Sequence, residues 1–371
     1  MNHRVLVIAL AALVAALAAQ GASGAPPTRG PVVFVQTNET SGNHVVAYDM
    51  AADGALAQAG VFATGGNGGA AAPGTETDHL ASQGSLTYDA GHGLLFAVNA
   101  GSDSVSTFSV TGDTLHLSSV VPSGGDFPSS VAVSGKLVYV LDAGGSGTVQ
   151  GFRIAGDKLV AIPGSARDLG LANANPPNFL TAPGQVGFTP DGNQLLVTTK
   201  LSGSAIDAFS VGPDGRLSAQ PVQNAAATPV PFAFTFTPDG RLAAGEAGAS
   251  SLTTYNVQPD GMLSDARSAS DGQAALCWIQ RVGSYYYVSN TGSNNVSAFT
   301  VAANGQPTLV GNVATTEPGP IDQTSPTGTS YLYVETGSGT VDEFLSNSGG
   351  SLTRLGAVTG LPAGIEGIAS T

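Results

Sequence analysis

Two glutamates and one histidine are the side chains in this sequence best suited to moving protons. Glu246 and Glu335 fall at equivalent points of a repeated unit, about ten residues before Tyr255 and Phe344. Glutamate caps tight turns less well than the Asp and Asn found at matching places, so a carboxylate there would be free to activate water. His79, in GTETDHLASQG beside Asp78, would serve as a second acid or base with Asp78 orienting its ring. Together these groups suit hydrolysis or isomerisation of a small, weakly charged molecule.

Each candidate belongs to a ring of equivalent positions. The first ring, at the end of the second strand of each unit, holds Thr37, Asn99, Asp142, Thr199, Glu246, Asn290 and Glu335. It reads either as an acidic, hydrogen-bonding rim or as a set of caps for the neighbouring Gly/Ser turns. The second ring, at the start of each innermost strand, offers Phe232 and Trp278 as an apolar wall and Gln185, Asp322 and Glu366 as polar contacts. That ring also reads as plain filling of a narrow axial channel.

The elements that must position these residues are counted by an aromatic marker: Tyr48, Phe108, Phe152, Phe209, Tyr255, Phe299 and Phe344. Successive spacings of 60, 44, 57, 46, 44 and 45 give a base period near 45 with two insertions. Each unit reads as four short strands, A to D from the axis outward, and Asp-Gly or Asn-Gly pairs such as Asp191-Gly192 and Asp239-Gly240 suit two-residue hairpins. Seven such units make an all-β, seven-bladed β-propeller with four-stranded blades. Residues 31–62 supply three strands and residues 364–371 supply one, so the C-terminal strand is expected to complete the N-terminal blade and close the ring. Strand alternation puts both insertions, residues 65–83 and 167–183, on the face opposite the Asp-Gly turns, which marks that face as the binding mouth.

Bulk composition narrows the setting. Only 10% of the 371 residues are charged, while 51 are Gly and 22 are Pro, as expected of an all-β chain rich in turns. The net charge of −14 argues against nucleic acid and anionic membranes as partners. Residues 1–24, with an uninterrupted apolar run from Val5 to Ala19, read as a secretory signal peptide, which leaves residues 25–371 as one domain and predicts a secreted or periplasmic monomer. Cys277 is the sole cysteine, so ring closure replaces any intramolecular disulfide; beside Trp278 and with only Arg281 as a cationic neighbour in LCWIQR, it reads as a structural thiol. Glu76, Asp78 and His79 are too close in sequence to imply a coordination shell, and no metal or cofactor is expected.

The repeats FTPDGRLAAGEAGASSLTTYNVQPDGMLS and VYVLDAGGSGTVQGF resemble the propeller lactonase family, which includes bacterial 6-phosphogluconolactonases and fungal carboxymuconate cyclases. The resemblance runs from about Pro31 to the C-terminus. It implies an exported lactonase-like propeller acting on a lactone or sugar-like ligand in the central mouth. Family members commonly carry histidine, with arginine and glutamate nearby, at the start of strand A; the matching positions here hold Ser85, Ser130, Gln185, Ala233, Trp278, Asp322 and Glu366. A binding or scaffold propeller without catalysis is the other reading this pattern allows.

Overall fold

The computed structural model describes residues 30–72 and 77–371, so the signal-peptide reading and Glu76 lie outside the described residues. Seven antiparallel sheets follow one another in chain order around an axis, each four-stranded except the third, to which Arg167–Asp168 adds a short fifth strand. Numbered from the N-terminus, blade I consists of Ile368–Ser370, Val32–Gln36, His44–Met50 and Leu56–Ala63. Its innermost strand comes from the far end of the chain, with Val33 opposite Ser370 and Val35 opposite Ile368. The ring therefore closes as the terminal sequences require.

The aromatic markers count blades because each is the wedge between two of them. Phe108 of blade II packs with Val32 and Phe34 of blade I. Phe152 packs with Phe96 and Phe209 with Leu141 of the preceding blades, and Tyr48 closes the circle against Tyr333 of blade VII. The core is thus a set of seven seams rather than one centre. Burying a large aromatic ring in each seam contributes roughly 2–3 kcal/mol.

The Asp-Gly hairpins differ from expectation in one detail. At Thr189-Pro190-Asp191-Gly192 the Gly192 N–H donates to Thr189 O (2.8 Å), and Thr237 and Gly240 repeat the pattern (2.9 Å), so a type I turn precedes the glycine. Gly192 and Gly240 have φ of 71° and 88°. Proline, with φ near −65°, suits the second position of this turn, but Ala51–Gly54 and Ala302–Gly305 close the same way without one (3.0 and 2.7 Å).

The two insertions meet on the mouth face. Ala72 bridges to Asn178, with its N–H donating to Pro177 O (2.8 Å). From there the chain from Asp78 to Gln83 runs as a strap across the ring axis before entering blade II. Its contacts come from blades that are not neighbours: Trp278 Nε1 and Ile279 of blade VI reach Ser82 O (2.9 Å) and the Gln83 amide (3.0 and 3.2 Å), while Ser82 Oγ donates to Ser129 O of blade III (2.7 Å).

Candidate functional site

The strap builds the site. Glu366, which precedes the closing strand, is fully buried and accepts the backbone N–H groups of Leu80 and of Ser82 (3.1 Å). Lys200, in the short helix that follows strand B of blade IV, is 1% exposed. Its Nζ donates to Ala81 O and Phe179 O, both at 2.6 Å, and stands 4.8 Å from the centre of the Phe232 ring. One ammonium thereby ties the two insertions together. Two of its three hydrogens are committed to carbonyls, which leaves one.

Lys200, Phe179 and Phe232 stand in the wall of a cavity of ≈ 420 Å³ on the mouth face. Asp78 and Lys200 line it, with Phe179 and Leu180 from the second insertion and Phe232, Val230 and Cys277 from the crossovers and inner strands of blades V and VI. Burial raises the Asp78 carboxyl, against the pull of Lys200 and of a hydrogen bond with Glu366. Burial, reinforced by the charge of Asp78, holds Glu366 well above the usual carboxylate range. Burial and mutual repulsion thus disfavour charging both carboxyls at once. Burial pushes Lys200 down to about 8, while the charges of Asp78 and Glu366 oppose the drop. At neutral pH the lysine stays charged and close to its titration range, a poise suited to electrostatic and proton-transfer chemistry. No group of three or more metal-ligating side chains is present among the described residues.

Of the residues singled out in the sequence, Phe232 lines this cavity. Trp278 stands behind it, ring centres 4.6 Å apart, with its indole N–H committed to the strap. Gln185 Oε1 accepts the Phe234 N–H (2.6 Å) and so joins blades IV and V. Asp322, raised to about 7 by burial, opens instead on a hollow of ≈ 220 Å³ in the channel beyond the strap. Glu335 accepts the Gly367 N–H (2.9 Å) beside the ring closure, and burial holds it well above its ordinary value.

Three expectations need correction. Glu246 is no free base: its carboxylate accepts Thr228 N (3.1 Å), Thr228 Oγ1 (2.5 Å), Thr253 Oγ1 (2.6 Å) and the Tyr255 hydroxyl. It anchors a loop and two strands, as Asn99 does through Ser104 and Ser106 and Asn290 through Asn295 and Ser297. Asp142 does not line this cavity: it is buried, and burial, against a hydrogen bond with Ser123, pushes it up to about 8. Asp78 does not orient His79; it accepts the Ala81 N–H (2.8 Å), whereas His79 Nδ1 is buried without a partner against Gly364 and burial depresses its basicity.

Lys200 is the residue that the sequence reading missed. It is one of three lysines; Lys136 lies in a hairpin turn on the other face and Lys158 opens the strand that follows one there. Where Lys200 follows Thr199, the equivalent residues after the other strand-B ends are Asn38, Ala100, Ala143, Ala247, Thr291 and Thr336. A long cation in a place otherwise held by small side chains was the available signal. It supplies the positive charge that the acidic rim lacked.

The family model for lactonase, 7-bladed beta-propeller, matches residues 86–366. Among solved structures, a candidate 6-phosphogluconolactonase from Bacteroides fragilis is 19% identical, covering 93% of this chain and 99% of its own, with a TM-score of 0.71. A second candidate from Bacteroides uniformis is 18% identical over 92% and 99% with a TM-score of 0.73, and the periplasmic gluconolactonase of Pseudomonas aeruginosa is 17% identical over 91% and 98% with 0.69. No curated protein matches the chain. At these identities the structural likeness is one of fold, whereas the family match covers well over half of the chain, Lys200 included: the chain belongs to the lactonase family of seven-bladed β-propellers.

Proposed function

We propose that this propeller hydrolyses a lactone in the mouth cavity, with Lys200, Asp78 and Glu366 as its working groups. The observation that carries the reading is that the buried Lys200 ammonium and the Asp78 carboxyl, itself hydrogen-bonded to Glu366, meet at one cavity wall in a lactonase-family chain. The remaining N–H of Lys200 is suited to polarise the lactone carbonyl and to hold the oxyanion that forms on it. Asp78 takes a proton from water as the water oxygen bonds to the carbonyl carbon. When the ring C–O bond breaks, that proton passes to the departing alkoxide, and the product is an open hydroxy acid. Glu366 is hydrogen-bonded to Asp78 and, through Leu80 and Ser82, fixes the strap that presents it. The apolar run Val5–Ala19 and a periplasmic gluconolactonase among the structural neighbours support an exported location for this reaction.

Hydrolysis of a panel of γ- and δ-lactones, followed by acid release at constant pH, tests the reading. Lys200→Met and Asp78→Asn are each expected to lower kcat by about 10²- to 10³-fold while the β-sheet circular dichroism is kept. Undiminished turnover in folded Asp78→Asn protein would sink the assignment.

A further inference from the structure

The walls of the mouth cavity say which lactone. Seven of its twelve lining residues carry apolar side chains or a thiol, and Lys200 is the sole cation among them. With two of its hydrogens already on Ala81 O and Phe179 O, Lys200 has one N–H and a single charge to set against a phosphate dianion, which Asp78 beside it would repel. Among the described residues, Thr77 and Thr291 are the only polar side chains that join Asp78 and Lys200 in the lining, too few to replace the water around a polyhydroxylated ring.

Backbone conformation points the same way. The residue just before strand A has positive φ in five blades: Phe127 (59°), Val230 (63°), Ala275 (60°), Gly319 (70°) and Gly367 (118°). Glycine takes this conformation freely, and a β-branched residue there is an outlier. Phe127 is compensated by burial in a blade seam. Val230 is only half-buried and faces the cavity, so its strained backbone serves to present an isopropyl group to whatever fills that space. The apolar surface continues outward over Leu180 and Leu201, 44% and 50% exposed and joined by a hydrogen bond from Leu201 N to Leu180 O (3.1 Å).

We infer that the substrate is a lactone bearing an apolar alkyl or aryl substituent, with its carbonyl at Lys200 and the substituent against Val230, Phe232 and the Leu180–Leu201 lip. Phosphorylated and polyhydroxylated sugar lactones are disfavoured. The inference rests on the lactone-hydrolysis reading of the same cavity but fails separately from it.

The test compares δ-decalactone with glucono-δ-lactone on the purified protein and on Val230→Gly, a change that relieves strain and so should not lower the melting temperature. Wild type is expected to favour δ-decalactone in kcat/KM by about tenfold or more, and Val230→Gly to shrink that preference several-fold. Preference for glucono-δ-lactone, or a preference that Val230→Gly leaves intact, overturns the inference while hydrolysis stands. If neither lactone is opened, calorimetric binding decides. Tighter, Val230-dependent binding of δ-decalactone sustains the apolar-ligand inference as the catalytic reading falls, and equal or weaker binding than glucono-δ-lactone overturns both.

Discussion

Glu246 and Glu366 are both wholly buried glutamates on the mouth side of the ring, and their surroundings differ in kind. Around Glu246 two hydroxyl-bearing threonines and a backbone amide place three hydrogen bonds on one oxygen, and a tyrosine places one on the other. Around Glu366 two backbone amides of the strap are joined by a second carboxyl, Asp78, and the only cation near the pair is Lys200, across a cavity wall. The first arrangement is complete without a ligand. The second holds competing charges at the edge of open space, where an incoming carbonyl and a water would complete the set. Burial and residue type are the same in both, so what separates architecture from chemistry is the hydrogen-bond complement.

The largest disturbance of this contrast is removal of residues 364–371, which deletes Glu366 and the closing strand together. A chain so shortened is expected to lose its cooperative melting transition, because blade I is left with an open edge and the strap loses its acceptor. An unchanged melting temperature would break the closure model. Next, Glu246→Gln replaces a carboxylate that accepts four hydrogen bonds with an amide that cannot, and should lower the melting temperature by roughly 4–8 °C while turnover stays within about twofold. A large loss of kcat with an unmoved melting temperature would make Glu246 a chemical rather than an architectural group.

The smallest effect is a drift with pH. Burial raises Asp207 to about 6, Asp322 to about 7 and Asp142 to about 8, so between the ordinary aspartate value and these values the folded protein binds more protons than the unfolded chain. Their stabilisation is complete below the unfolded pKa and is lost as pH rises through the folded values. His79, depressed by burial, and Lys200, lowered to about 8, have the opposite sign, but one histidine acts only up to its ordinary value and is outweighed by the three carboxyls, and Lys200 acts only above about pH 8. The melting temperature should therefore fall steadily from about pH 5 to about pH 8. A maximum near pH 8 would show that these carboxyls are charged in the folded state.

The fold was legible because its signals are local and repeated. Seven aromatic wedges, Pro-Asp-Gly turns and split terminal strands each state their role within a few residues. The site was legible only in part. Both insertions were placed on the correct face and Phe232 on the cavity wall, yet Lys200 finds its acceptor Ala81 at a separation of 119 residues and Glu366 finds Leu80 at 286. No short motif encodes such a meeting. Glu246 misled for a related reason: whether a carboxylate is free depends on Thr228 and Tyr255, which reach it from separate segments.

A chain of repeats that touch only their neighbours is free to fray one seam at a time. The strap through Leu80, Ser82 and Gln83 denies this ring that freedom, for it is held by blade I through Glu366, blade III through Ser129, blade IV through Lys200 and blade VI through Trp278 and Ile279. It acts as the hub of a spoked wheel, so separating any one of those blades loosens the attachment of the others. The amides of Leu80 and Ser82 should then exchange with deuterium only through global unfolding, which makes the hub the slowest-exchanging segment outside the strands.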